Sequence, residues 1–532
     1  MDKAMTMGKV SATGSFHLFI GKIASTLMLT IGSIIVGIFI DPGEYGLYTI
    51  VLVPAMTLLL FQDWGIGSAL TKYCANYRAE KREGELRNII VTGLTFEAIT
   101  GLVLTLISLL TANFFATTIF NNPDSTFLIT LVSITIFSAA INAGSISIFT
   151  GFERMELITI TMIVSATMQG LISALLVYFG FGAVGALLGF IFGSVVSSGT
   201  AVTLLYFNIF RRLPLGANNE SKIFQTLKPL LRYGLPLSIG LIIGGVLPQV
   251  INFVMASSTD VLLIGNFGIA KNFAVFLSFF TLPINVVLFP AFSKLDPSRE
   301  KQLLKTIFAS SVKYSSLFLV PSTIALMILS APLIGTLFGE KWLFAPLFLT
   351  VLVIVELFVL FGGMSFGRLL VATGETKFLM KLNVLTLCTG VPLAFLLIPP
   401  FGIIGVIFTG IVAGTPSCII GIYGTWKRFE TKADFRNSAR IFFASALAGV
   451  TTHLFLYVFV AAPWIMLTTG VMIFLFVYIV SIILFGAINQ KDISNLQVMF
   501  SGLGPISKIL QILLTLLEKS FKVKEKYSKI RK

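Results

Sequence analysis

Several charged side chains lie inside stretches of this sequence that are otherwise apolar, notably Lys22, Glu97, Lys271 and Glu356. A charge in such a stretch is costly, so each one that is kept is a candidate for function. A lysine can hold an anionic group such as a phosphate as a point charge. A carboxylate removed from water can gain or lose a proton, which suits coupling to protons or sodium ions. A structural ion pair between Lys22 and Glu97 is the alternative interpretation.

Polar residues, charged and uncharged, recur at helical spacing in two neighbouring apolar stretches. Each set would share one helix face: Gln249, Asn252 and Asp260 in one helix, and Lys271, Ser278 and Asn285 in the next. Hydrogen bonding between helices is the alternative role for these side chains. His17, Gln62 and Asp63 lie near the predicted inner ends of the first two stretches, where we expect capping or gate packing.

The elements that position these residues must be membrane helices. The chain has 532 residues, of which 56% are hydrophobic and only 11% charged, and its mean hydropathy is +0.95. A soluble protein carries about 25% charged residues, so the composition excludes a soluble enzyme and a disordered protein. Lipid cannot satisfy free backbone groups, so the long apolar runs must be helices. We therefore predict an all-α polytopic membrane protein.

Fourteen apolar runs are each long enough to cross a bilayer, which needs about 20 residues. With a cytoplasmic N-terminus, nearly all of the 38 Lys and Arg residues fall in inner loops or in the tail, as the positive-inside rule requires. Both termini are then cytoplasmic. The predicted spans are 14–40, 46–70, 88–117, 125–148, 158–179, 183–208, 232–264, 271–293, 307–338, 345–366, 381–398, 402–424, 439–461 and 464–486.

A weak internal repeat divides these spans into two bundles of six, followed by two further helices. The tail from residue 502 begins with apolar residues at helical spacing and ends in a lysine-rich run. It reads as an amphipathic helix on the inner leaflet, serving as an anchor or as a docking site. The predicted segments are an N-lobe at 1–210, a linker at 211–228, a C-lobe at 229–426, the last two spans at 427–490 and a basic tail at 491–532.

Metal and catalytic chemistry are not indicated. Cys74, Cys388 and Cys418 are widely spaced, and two histidines are too few for a metal site. No paired-carboxylate motif, nucleophile elbow or phosphate-binding glycine loop is found, and the predicted outer loops have only a few residues. The net charge of +15 is spread over many short loops, so anionic lipid accounts for it without a nucleic-acid partner.

Several motifs in order resemble one family, and the resemblance runs from about residue 10 to 486. The chain resembles the polysaccharide-transporter (Wzx-like) branch of the multidrug/oligosaccharidyl-lipid/polysaccharide exporter superfamily. The motifs are Asp41–Tyr48, Asp63–Tyr73, Asp260–Gly265, Leu288–Ser293, Leu337–Trp342, Leu369–Gly374 and Leu397–Gly405.

The resemblance implies two six-helix lobes in a V around a central cavity lined by spans 1, 2, 7 and 8. It implies alternating access and a substrate made of an oligosaccharide on a polyprenyl phosphate or diphosphate. Lys22 and Lys271 would then hold the phosphate, and the two polar stripes would contact sugar hydroxyls. No cofactor is expected, and the membrane potential or a Na+ or H+ gradient would drive transport. Glycan polymerases or glycosyltransferases are the expected protein partners.

Three other functions stay open at this point. A cation-coupled multidrug exporter of the same superfamily would favour an acidic cavity for cationic drugs, which Lys22 disfavours. A membrane enzyme would need an outer catalytic loop. A non-catalytic scaffold would recruit glycosyltransferases through the basic tail.

Overall fold

A computed structural model describes residues 2–214, 223–277 and 299–501, together with residues 292 and 295. Every regular element in this part of the chain is a helix, and no β-strand occurs there. The prediction of an all-α, multi-span membrane protein is therefore confirmed. Ten helices in these ranges are long and apolar enough to cross a membrane, or up to eleven if a bent pair is one span. The count of fourteen spans stays a prediction.

The first nine helices follow one another with short connections. α4 continues into a short π-helix at Phe115–Ile119, and a short 3-10 turn at Phe210–Arg212 follows α7. The helices are α1 (Asp2–Phe39), α2 (Pro42–Leu59), α3 (Ile66–Ala79), α4 (Glu83–Phe114), α5 (Ser125–Gly151), α6 (Met155–Tyr178), α7 (Gly182–Asn208), α8 (Ile223–Ser258) and α9 (Val261–Ala274).

The later helices include one broken span. α11 continues into a nine-residue 3-10 helix, Val353–Phe361, and the axis bends by 56° between Phe361 and the start of α12 at Ser365. The helices are α10 (Lys301–Phe338), α11 (Ala345–Leu352), α12 (Ser365–Ala372), α13 (Thr376–Phe429), α14 (Phe435–Val458), α15 (Pro463–Leu484) and α16 (Gln490–Ser501).

Several predicted span boundaries were wrong. The run 46–70 is two helices, because Gly65 adopts a left-handed backbone (φ 79°) that ends the turn before α3. The run 232–264 breaks after Ser258, and α9 begins at Val261. The predicted break between the runs 381–398 and 402–424 is confirmed, because the two helical segments of α13 meet at a kink at Gly402 (φ 55°). Most of the run 271–293, and the whole tail from residue 502, lie outside the described residues.

The described chain forms two compact units. One contains the residues up to Ile269 together with Thr386–Ala413, and the other contains Ala270–Leu385 and the residues from Gly414 onward. In the first unit α6 packs on α7 and on α1, and α4 packs on α5. Small residues allow this, since a Cβ added at Gly32 of α1 would reach the backbone of Gly170 of α6.

α10 is the central helix of the second unit, where it packs against the 3-10 helix, α14 and α15. Hydroxyl groups join these elements. Ser311 and Ser365 lie 2.8 Å apart through their Oγ atoms, and the Tyr478 hydroxyl donates to the carbonyl oxygen of Leu317 at 2.7 Å. Each such hydrogen bond contributes roughly 0.6 to 2 kcal/mol inside a membrane. The Ser311–Ser365 contact therefore holds the broken span against α10.

Candidate functional site

A buried carboxyl–amide pair lies in the first unit. The Nε2 atom of Gln62, in the turn between α2 and α3, donates to Oε2 of Glu97 on α4 at 2.7 Å. Glu97 is fully buried and Gln62 is 6% exposed. The second oxygen, Oε1 of Glu97, is buried and has no hydrogen-bond partner in the described part of the chain. A carboxylate with one uncharged donor is poorly compensated away from water, so this site is suited to taking up a proton.

Asp63, the next residue after Gln62, caps a helix. Its Oδ1 accepts from the backbone N–H of Gly67 in the first turn of α3 at 3.1 Å. The Thr71 hydroxyl donates to the carbonyl oxygen of Ser147 on α5 at 3.0 Å, which fixes α3 against that helix. Asp63 therefore contacts the first turn of α3, and its role at a gate stays a prediction.

Lys22 and His17 lie on α1, away from Glu97. The Lys22 side chain is exposed, and no ion pair joins it to any described residue. The structural ion pair with Glu97 that the sequence left open is therefore not formed. His17 contributes its backbone carbonyl, which accepts from the Thr159 hydroxyl of α6 at 2.9 Å. Lys22 is thus an exposed cation on a helix fixed against α6.

The predicted polar stripes are only partly described. Gln249 and Asn252 lie on α8, and the buried Oε1 of Gln249 has no hydrogen-bond partner within the described ranges. Asp260 lies beyond the end of α8, where its Oδ1 accepts from the backbone N–H of Leu262 at 2.8 Å and caps α9. Asp260 therefore does not share a helix face with Gln249 and Asn252. Ser278 and Asn285 lie outside the described residues.

α2 contacts the α8–α9 segment at its first turns through backbone atoms. A Cβ added at Gly46 would overlap the carbonyl oxygen of Val261, and one at Gly265 would overlap that of Pro42. The Tyr45 ring packs over Gly268, within 2.7 Å of an added Cβ. Only glycine permits backbones to approach this closely.

A second close contact follows the other end of α2. A Cβ added at Gly65 would overlap the backbone of Gly234 on α8. Beside it, the Nζ atom of Lys72 on α3 lies 3.9 Å from the centre of the Tyr233 ring, a cation–π contact. The α8–α9 segment thus contacts α2 near its start and the α2–α3 connection beyond its end, with Gln249 and Asn252 lying between these contacts along the chain.

The second unit holds a cavity that brings two predicted residues together. Lys271, from α9, and Glu356, from the 3-10 helix, line one cavity of about 360 Å³. The other lining residues are apolar: Ala274, Val275, Leu277, Leu352, Val353, Val355 and Met364. Neither charged side chain makes an ion pair or a side-chain hydrogen bond with a described residue, and they do not pair with each other.

Two features of the second unit were missed from the sequence. Arg368 lies half-buried on α12 without a side-chain partner among the described residues. The Nζ of Lys313 donates to Oδ2 of Asp492 at 2.6 Å, and both side chains are about nine-tenths buried. Asn489 and Asp492 form reciprocal capping bonds at the start of α16, and this capping pattern is a signal that the sequence offered.

Known proteins are similar to this chain in sequence and in fold. A family model described as polysaccharide biosynthesis protein matches residues 11–296. The lipopolysaccharide biosynthesis protein WzxC of Escherichia coli (strain K12) is 26% identical over 368 residues, covering 68% of this chain and 70% of WzxC. The lipid II flippase MurJ, in an inward closed conformation, superposes with a TM-score of 0.71 at 15% identity over 87% of this chain and 97% of MurJ.

A multidrug resistance MATE family transporter of the MOP superfamily, in an inward-facing conformation, shares the same fold. It superposes with a TM-score of 0.62 at 18% identity, covering 77% of this chain and 98% of the transporter. The fold is that of membrane transporters and flippases.

Proposed function

Because this chain belongs to the polysaccharide biosynthesis protein family, we propose that it is a flippase for lipid-linked oligosaccharides. It moves a sugar chain on a polyprenyl phosphate or diphosphate from the inner to the outer leaflet of the cytoplasmic membrane. Both termini are cytoplasmic in this proposal. The flipped glycan feeds polysaccharide or surface-glycan assembly, and glycan polymerases or glycosyltransferases are the partners that would supply and use it.

The observation that carries the proposal is the pair of backbone contacts near the two ends of α2. In the proposed orientation, the contact of Gly46 with Val261 closes the outer end, and that of Gly65 with Gly234 closes the inner end. Alternating access requires that each closure opens while the other holds. Gln249, with a buried oxygen that lacks a partner in the described chain, lies between them on α8, where a sugar hydroxyl can donate to it.

Lys22 is the cation proposed for the phosphate of the substrate. Its side chain is exposed and forms no ion pair with a described residue, so its charge is available to a ligand. An anionic group crossing a low-dielectric region is stabilised strongly by one nearby cation. His17, Gln62 and Asp63 stay candidates for the inner gate.

Glu97 is the proposed coupling group in the first unit. Its Oε1 atom has no partner within the described ranges, while Gln62 holds the other oxygen. Taking up one proton neutralises the group in place, without a new partner. A proton gradient is therefore the proposed driving force that this site supports, and a sodium gradient is the alternative.

The test is translocation in proteoliposomes containing a fluorescent polyprenyl-diphosphate oligosaccharide, with quencher access read from outside. We expect protein-dependent flipping that falls about tenfold or more in Lys22→Ala, since losing a charged contact weakens binding by roughly 1.5–3 kcal/mol. Lys377→Ala, which removes an exposed lysine at the start of α13, is the matched control and should flip normally. Flipping unchanged in Lys22→Ala would remove the phosphate role and keep the transport function.

A multidrug exporter is the second candidate, favoured by the fold shared with the MATE transporter and by the buried Glu97. The same proteoliposomes distinguish the two. Accumulation of a cationic dye, with no flipping of any glycolipid tested, would select the exporter.

A further inference from the structure

The cavity shared by Lys271 and Glu356 combines three properties that point to a ligand. It holds one cation and one carboxylate, its other walls are apolar, and its volume is about 360 Å³. Ligand pockets span about 300–1,000 Å³, so this one suits a compact head group rather than an oligosaccharide. Unpaired charges beside apolar walls are costly, and here neither charge has an ion-pair partner among the described residues.

Glu356 is placed by an irregular backbone. It lies on the nine-residue 3-10 helix of the broken span, whereas 3-10 runs longer than three or four residues are uncommon and often mark functional segments. The Ser311–Ser365 hydrogen bond and the packing of α10 support this segment from one side. The 3-10 helix is thus held by its neighbours, and its Glu356 lines the cavity.

The charges decide the chemistry of the ligand. A ligand with only a phosphate satisfies Lys271 but places a second negative charge beside Glu356. A ligand with only an amine satisfies Glu356 and adds a second positive charge beside Lys271. We propose that this cavity binds a head group that carries both a phosphate and an ammonium group, the phosphate at Lys271 and the ammonium at Glu356.

Two sources could supply this chemistry: a zwitterionic phospholipid of the membrane, or an amino sugar linked to the phosphate of a polyprenyl carrier. The inference goes beyond the proposed function, because it concerns binding and holds whether or not the bound molecule is flipped. Its test therefore measures binding alone.

The test is native mass spectrometry of the full chain in detergent, titrated with two matched pairs of ligands. One pair is phosphatidylethanolamine and its N-acetylated form, and the other is a polyprenyl-phosphate hexosamine with a free amine and its N-acetylated form. Acetylation removes the ammonium charge and leaves the phosphate. We expect the free-amine member of at least one pair to bind about tenfold more tightly to the wild type.

Variants at Glu356 and Lys271 test which side chain binds which charged group of the ligand. Glu356→Gln should reduce the preference for the free amine to within about twofold, while Lys271→Gln should weaken binding of both members of the pair. Lys377→Gln, outside the cavity, should change neither. A preference in the phospholipid pair alone identifies a membrane lipid as the ligand, and one in the sugar pair alone identifies a glycolipid.

Two results would overturn the proposal. One is equal binding of acetylated and free-amine ligands in both pairs, which needs only wild-type protein and does not depend on the folding of a variant. The other is a preference for the amine that persists in Glu356→Gln. Neither result depends on flipping, so failure here is distinguishable from failure of the proposed transport function.

Discussion

Glu97 and Glu356 are both carboxylates inside apolar spans, yet their surroundings are opposite. Glu97 lies on the continuous helix α4, is fully buried and accepts a hydrogen bond from Gln62. Glu356 lies on a 3-10 helix and lines a cavity together with Lys271, and neither side chain has an ion-pair partner among the described residues. Glu97 is therefore suited to binding a proton, and the cavity at Glu356 is suited to binding a ligand. An intramembrane charge is therefore interpretable only with its neighbours.

The largest effect should come from the buried Lys313–Asp492 ion pair of the second unit. Lys313→Met leaves Asp492 buried without its cation and should destabilise the protein by about 3–5 kcal/mol. Lys271→Met removes a lysine that has no ion-pair partner in the described chain and should change the stability by less than about 1 kcal/mol. Thermal unfolding midpoints in detergent measure both. Equal shifts would contradict this order, which rests on Lys271 having no ion-pair partner in the described part of the chain.

The second largest difference in stability should be that between the alanine variants of the two carboxylates. Glu97→Ala leaves Gln62 without its acceptor and opens a void, a loss of about 2–4 kcal/mol. Glu356→Ala should cost less than about 1 kcal/mol, because no hydrogen bond is lost and the cavity already exists. Glu97→Gln keeps the volume and should retain most of the stability. A Glu356→Ala variant as unstable as Glu97→Ala would remove the distinction between the two sites.

A third, smaller difference in stability should come from the packing beside Glu97. A Cβ added at Gly144 would lie 3.1 Å from Leu94 Cδ2 and 3.3 Å from Glu97 Cγ, so Gly144→Ala should cost about 1 kcal/mol through crowding. Gly367→Ala on α12 is the matched control, since nothing lies within 4 Å of the added atom. It should be neutral or slightly stabilising through helix propensity. Chemical denaturation of the two variants, side by side, tests this order.

The smallest effect concerns an exposed pair that sets the scale for charges outside the membrane. The Lys305 ammonium donates to Glu430 at 2.6 Å and holds the pKa of that carboxyl below its usual range. Because the folded pKa is depressed, the contribution to stability is present above the unfolded pKa of about 4.3 and is lost as the pH falls through the folded value. The difference in thermal midpoint between wild type and Lys305→Ala should be small at neutral pH and vanish in acid. A difference that grows in acid would contradict the sign.

The sequence predicts which apolar stretch holds each charge, but not which side chains of other helices it contacts. The apolar runs placed Lys22 and Glu97 at similar depths and suggested that they pair, yet Glu97 contacts Gln62, 35 residues away, because the backbone breaks between α2 and α3. Asp492 contacts Lys313 across 179 residues.

Lys271 and Glu356 were each identified from sequence as candidates, but their common cavity depends on how α9 and the broken span pack. Hydropathy carries no information on such packing.

The breaks themselves were only partly predictable. Gly65 and Gly402 are two of forty-six glycines in the chain. Their positive φ angles mark where α3 begins and where α13 is kinked. The nine-residue 3-10 helix, Val353–Phe361, contains neither glycine nor proline, and Glu356 is its one charged residue. Its irregularity depends on support from neighbouring helices, which the pattern of one segment does not contain.

Flipping of a fluorescent polyprenyl-diphosphate oligosaccharide by Gly46→Leu, beside wild type and Gly199→Leu, tests the account most directly. A side chain at Gly46 overlaps the backbone of Val261, so the outer closure cannot form, whereas nothing lies within 4 Å of a Cβ added at Gly199. We predict that wild type and Gly199→Leu flip the glycolipid and that folded Gly46→Leu does not. Normal flipping by Gly46→Leu, or no flipping by wild type, would contradict alternating access by these closures or the flippase function itself.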